Sequence, residues 1–148
     1  MLSRWLNIIK EKLFSDSFDL ESDDILEDLD ISSMPEDVYS LYRSAKSGNE
    51  VDIFKLGLKY YHGRGVDRDC ARAYEVFRLL QVVDADAEYY MGEICRFGLI
   101  DNEPDYHQAC FHYAIAMDMG HSQCKDKLKL MADVTQEKFW LNFSKNKI

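Results

Sequence analysis

No apolar run in this chain approaches the roughly 20 residues that a helix needs to cross a bilayer. Met1 to Phe14 are too polar for the core of a secretory signal, so export by that route is not expected. Cysteine is sparse. Cys70, Cys95, Cys110 and Cys124 show no disulfide-framework spacing, which points to reduced thiols and a cytoplasmic setting. Lys and Arg are missing altogether between Lys12 and Arg43. Phosphate binding needs basic patches, so nucleic acid is not expected as a ligand. Catalytic spacings are lacking as well. Gly63-Arg64-Gly65 has no third Gly at dinucleotide spacing, no preceding strand and no Gly-Lys-Ser/Thr. The acidic run has no Gly where a calcium loop turns. His107-x-x-Cys110 and His121-x-x-Cys124 look like two halves of a zinc site. They start two successive helices, however, and one helix of about 12 residues holds such ends roughly 18 Å apart. No metal, cofactor or catalytic set is therefore expected.

What is present is an uneven charge. The net charge is −9, and the window 13–42 holds ten acidic residues with no basic one. Residues 43–148 carry 15 basic and 16 acidic groups and are almost neutral. Acids this dense repel one another and oppose compaction. They read either as a solvated cap or as a docking surface for a basic protein, with Asp23, Asp24, Glu27 and Asp28 as the steering charges. Ile25, Leu26 and Leu29 interleave with them at helical spacing, so a degenerate helix over 23–30 is expected. Upstream, Leu2, Trp5, Leu6, Ile9 and Leu13 share one helical face over residues 1–14. That stripe fits a cap for the open end of a helix stack; a helix lying on a membrane is the alternative. Two net positive charges beside an acidic run are few for anionic lipid, so a membrane partner is not expected.

The strongest signal is a repeat. Leu56-Gly57-Leu58-Lys59-Tyr60-Tyr61-His62-Gly63-Arg64-Gly65-Val66, with Asp69, Ala73 and Phe77, recurs as Met91-Gly92-Glu93-Ile94-Cys95-Arg96-Phe97-Gly98, with Asp105, Ala109 and Tyr113. Gly57 to Gly92 is 35 positions and Ala73 to Ala109 is 36. A fixed period of this size marks helix–turn–helix units that bury their apolar faces only by stacking. Glycine inside a helix costs about 1 kcal/mol against alanine, so Gly57 and Gly92 predict close approach of a neighbouring backbone. Leu56, Tyr60 and Phe77 are expected in the core. Asp69 and Asp105 should cap the second helices. Gly63 and Gly65 suit a turn with positive φ, and Gly48 and Gly120 should end helices. Ser33-Met34-Pro35-Glu36 predicts a capping box. Val83-Asp84 replace the closing Gly of the first unit, so that turn must differ.

The pattern L-G-x-x-Y-x-x-G-x-G-V, then Asp, then A-x-x-x-F, resembles the Sel1-like repeat, a relative of the tetratricopeptide repeat. The second unit departs from it at Met91, Cys95 and Leu99-Ile100. The resemblance implies an all-α fold: a short right-handed α-solenoid of antiparallel helix pairs with N- and C-terminal capping helices, about seven helices in one domain over 1–148. Residues 1–14 form the N-terminal cap and 15–33 the acidic segment. The repeats run over 34–132, with full units at about 50–84 and 85–120. Residues 133–148 form the C-terminal cap, its helix at Thr135 to Ser144 packing back through Phe139, Trp140 and Phe143. The family consists mostly of interaction scaffolds whose first helices line the binding face. On those helices Lys55, Lys59, His62, Tyr89, Glu93, Arg96 and Phe97 avoid the core positions and are the expected partner-binding residues. The expected activity is non-enzymatic capture of a protein, either as a small cytoplasmic inhibitor of a basic toxin or as a scaffold or adaptor.

Overall fold

The computed structural model describes residues 22–81 and 83–135. The expected N-terminal cap helix and all but the first residue of the helix expected from Thr135 to Ser144 lie outside them. The described residues form seven helices: Ser22–Glu27 (α1), Glu36–Lys46 (α2), Glu50–His62 (α3), Cys70–Arg78 (α4), Ala85–Arg96 (α5), Tyr106–Asp118 (α6) and Cys124–Thr135 (α7). Each packs on its successor, and α1 also touches α4. This is an all-α, solenoid-like arrangement in which α3, α5 and α7 are first helices and α2, α4 and α6 are second helices.

Local chemistry sets the boundaries. The expected aspartate caps form: Asp69 Oδ1 accepts the Arg72 N–H at 2.9 Å and Asp105 Oδ1 accepts the Gln108 N–H at 3.0 Å. Asn49 and Asp84 do the same for α3 and α5. The capping box does not form. Pro35 itself is the N-cap of α2 and makes no side-chain cap bond, which leaves Ser33 two residues short of the position from which its hydroxyl could reach the first turn.

The turns repeat as the sequence does. Arg64 N–H donates to the Lys59 carbonyl at 3.0 Å, and Leu99 N–H to that of Ile94 at 3.1 Å. Asp69 N–H donates to the Tyr60 carbonyl, and Asp105 N–H to that of Cys95, each at 2.9 Å. Left-handed backbone at Gly63 and Gly65 turns the first unit. In the second, Gly98 and Asn102 take that role, Asn being the residue that tolerates αL best after Gly. Gly48 and Gly120 end α2 and α6 with positive φ, as expected. At Val83-Asp84, where no Gly is available, both N–H groups fold back on the Leu80 carbonyl instead.

The core runs through Leu26, Leu29, Val38, Leu56, Ala73, Phe77, Ala87 and Met91, then on through α6 and α7. Ala87 and Cys124, near the starts of successive first helices, both have no exposure. α6 is the central element. Residues 109–117 are buried without a break, as suits a helix that is apolar all round.

The internal glycines correct one expectation. Their nearest neighbours are ring carbons, not backbone. A Cβ on Gly57 would stand 2.5 Å from the Phe77 ring, and one on Gly92 would stand 2.6 Å from the Tyr113 ring. Each first helix thus offers a hollow to the aromatic residue of its own second helix.

Candidate interaction surface

The first helices present rings to one another across the repeat boundary. Tyr90 is the hub, with its ring centroid 5.0 Å from Tyr61, 5.6 Å from Phe77 and 6.0 Å from Phe54. His62 joins through Tyr61 at 4.9 Å. On the far side Tyr89 lies 5.4 Å from Tyr90 and stacks on His121 at 4.5 Å, with planes 10° apart. Phe54, Tyr61, Tyr90, Tyr89 and His121 are all half-buried, so a ribbon of ring edges runs over α3, α5 and the turn that leads into α7. Of these only Tyr89 stood among the expected contact residues. Spacing does not single out the others, because an aromatic residue between two first helices has the same spacing as one in the core.

The expected residues divide by environment. Lys55 and His62 are exposed; Lys55 reaches its own-helix Asp52 at 3.6 Å. Partial burial, with Arg64 and Arg68 nearby, pulls the His62 imidazole below its ordinary value. Lys59 is paired with Asp37 at 2.9 Å, and that hydrogen bond holds the Asp37 carboxyl below the usual range. Phe97 is 52% exposed, with the Arg96 guanidinium 4.7 Å over its ring. Glu27 is exposed and stands 3.8 Å from Lys46; Asp28 is exposed beside it. Asp23 and Asp24 belong to α1, next to these two, and away from the ribbon in the chain.

Glu93 is the residue whose place differs most from the expectation. It is 8% exposed and serves as an internal bridge rather than a free surface acid. It accepts a hydrogen bond from the Tyr113 O–H and draws in Lys127 at 3.2 Å and Arg96 at 3.7 Å. Lys127 also sits 5.7 Å over the Tyr89 ring. One buried carboxylate therefore fixes Tyr89, Arg96 and Lys127 relative to one another. Burial first, and Glu93 second, pushes the Tyr89 hydroxyl up to about 12.

A second polar chain was not foreseen. Tyr74 O–H and His112 Nε2 are 2.8 Å apart, and His112 Nδ1 and Glu88 Oε2 are 2.8 Å apart. Glu88 and His112 are essentially unexposed. The three residues come from α4, α6 and α5 and are 24 and 38 positions apart, so no local motif marks them. Cys95 lies beside Tyr74, and burial pushes its thiol up to about 12. A protonated thiol is a poor nucleophile, and the chain reads as a fixed packing register.

Among the described residues no group of three or more His, Cys, Asp or Glu side chains could hold a metal ion. His121 Nδ1 lies 3.3 Å from the Sγ of Cys124, the first residue of α7, and His107 is exposed at the start of α6. No helix of the described residues is long and apolar enough to cross a membrane. Comparison of the chain with family models, curated proteins and solved structures finds no match, so the helical-repeat fold stands on the geometry above.

Proposed function

We propose that this chain binds a protein partner on the face of α3, α5 and α7, and does so without catalysis. The observation that carries this reading is the aromatic ribbon Phe54, Tyr61, Tyr90, Tyr89 and His121, which crosses α3 and α5 to the turn before α7 and is braced by Glu93 and Lys127. Rigid, partly exposed Tyr rings flanked by Arg are the residue types enriched at binding hot spots, and they lose little entropy on docking. The ribbon is also the face that a Sel1-like repeat would use, so the sequence resemblance and the geometry support the same surface. Within this reading the chain is a small cytoplasmic inhibitor, such as a bacterial immunity protein that neutralises a basic toxin. Its exposed acids Glu27 and Asp28, with Asp23 and Asp24 in the same helix, would steer the partner in. A scaffold or regulatory adaptor that uses the same face without a toxin is the second reading.

The test is affinity capture from cells that make the protein, followed by binding kinetics with the captured partner at two salt concentrations. Tyr89→Ala should speed dissociation, because it removes a ring from the ribbon. Neutralising Asp23, Asp24, Glu27 and Asp28 should slow association and flatten its salt dependence. A partner indifferent to Tyr89→Ala would refute the face. A partner that is acidic, or whose association ignores the neutralised acids, would refute the inhibitor reading and leave the adaptor.

A further inference from the structure

A cleft of about 530 Å³ opens where the α1–α2 loop meets the α3–α4 turn, with Asp30, Tyr60, Gly65, Asp67, Asp69 and Arg72 among its walls. Turn chemistry makes it. Left-handed Gly63 and Gly65 fold the chain back, and the Asp69 N–H clamps the turn to the Tyr60 carbonyl at 2.9 Å. Tyr60 becomes the inner wall. The residue is only 8% exposed, yet its hydroxyl, at the cleft, has no hydrogen-bond partner among the described residues. That hydroxyl opens on the cleft, where it can donate to or accept from a guest.

The charges around it favour one sign of guest. Three carboxylates line the cleft: Asp30, Asp67 and Asp69. Asp30 is held by its own Ser32, at 2.9 and 2.6 Å, and Asp69 by its capping bond to Arg72 N–H. None of the three forms an ion pair among the described residues. Of the two arginines, Arg68 is turned to Tyr61, donating Nε–H to its carbonyl at 2.9 Å and lying 5.9 Å over its ring. Burial raises the Tyr60 hydroxyl; of the charges that reach it Arg72 acts most strongly, and Asp69 and Asp30 oppose it. Exposed Asp28 and Glu36 add to the negative field on either side of the α1–α2 loop. A carboxylate guest would have only Arg72 to meet and three like charges against it.

We propose that this cleft receives one cationic side chain, a lysine or arginine, of the protein partner, with Tyr60 Oη and the Asp30 and Asp67 carboxylates as acceptors. The proposal rests on the reading above that the partner is a basic protein, and it names where that partner's charge is recognised.

The experiment uses the full chain and three capped amino acids as probes: N-acetyl-lysine methylamide, N-acetyl-arginine methylamide and N-acetyl-glutamate methylamide. Amide chemical shifts are followed in titrations. Either or both cationic probes should saturably move the amides of residues 65–69, and the glutamate probe should not. Asp67→Asn should weaken that binding by about three- to fivefold, the range of an exposed ion pair. Tyr60→Phe, which keeps the buried ring, should weaken it as well. Preferential binding of the glutamate probe, or no saturable shift with any probe, would overturn the proposal. If the probes fail while Tyr89→Ala still impairs capture of a basic protein, the cleft is wrong and the binding function stands. If the cationic probes bind and the captured partner is not basic, the cleft stands and the inhibitor reading falls.

Discussion

Gly57→Ala puts the repeat's packing logic to the test. The substitution should stabilise α3 by about 1 kcal/mol on helix propensity alone. The structure predicts the opposite sign. The new methyl would stand 2.5, 2.7 and 3.0 Å from three carbons of the Phe77 ring, well inside van der Waals contact. Phe77 has no room to retreat: it is fully buried, and its ring is 5.6 Å from Tyr90 and 5.7 Å from Phe54. Overpacking of this kind costs about 1–3 kcal/mol, and a shift of nearly 1 Å belongs in the upper part of that range. The net loss should be about 1–2 kcal/mol, which lowers the midpoint of thermal unfolding by about 3–6 °C in a chain of this size. Circular dichroism at 222 nm, with urea titration alongside, measures both. The decisive variant is Gly57→Ala/Phe77→Leu. A smaller side chain at 77 makes room for the methyl, so the double mutant should be more stable than the sum of the single losses, by about 1–2 kcal/mol of coupling. Additive losses, or a Gly57→Ala protein that melts above the wild type, would refute the hollow-and-ring account of the repeat.

The capping aspartates give a second expectation: Asp69→Ala and Asp105→Ala should each cost about 1 kcal/mol in urea unfolding, since each leaves a first-turn N–H without its acceptor. Glu88→Ala should cost about 3–5 kcal/mol or prevent folding, because it strands buried His112, whereas Tyr74→Phe should cost only about 1 kcal/mol; thermal melts separate the two. Burial raises the Cys95 and Cys124 thiols from 9.0 to about 12 in the folded state. A group whose folded pKa is raised stabilises the fold fully below its unfolded pKa and loses that contribution as pH climbs to the folded one, so unfolding free energy should fall between pH 9 and 12. At pH 8 a thiol reagent should label fully buried Cys124 slowly in native protein and rapidly in urea; equal rates would contradict its burial.

The sequence by itself determined the features that depend on neighbours in the chain. A cap needs an oxygen three residues before the N–H it accepts, so Asp69 and Asp105 could be placed from spacing alone. A left-handed turn needs glycine, so Gly48, Gly63, Gly65 and Gly120 marked their turns. The 35- and 36-residue recurrence announced repeated helix pairs because each unit must bury the same apolar face against the next. Tertiary structure decided whatever depends on how two helices register. It put an aromatic ring, not a backbone, against Gly57 and Gly92, since spacing tells that space is short but not what fills it. It drew Glu93 inward, to be shared by Tyr113, Lys127 and Arg96 from three helices. It joined Tyr74, His112 and Glu88, whose partners are separated by dozens of residues and are met only after α4, α5 and α6 have stacked. The aromatic ribbon and the cleft beside Tyr60 have the same origin. Helical periodicity fixes which face of one helix a side chain occupies, while the offset between helices, set by the packing of their side chains, fixes what it meets there.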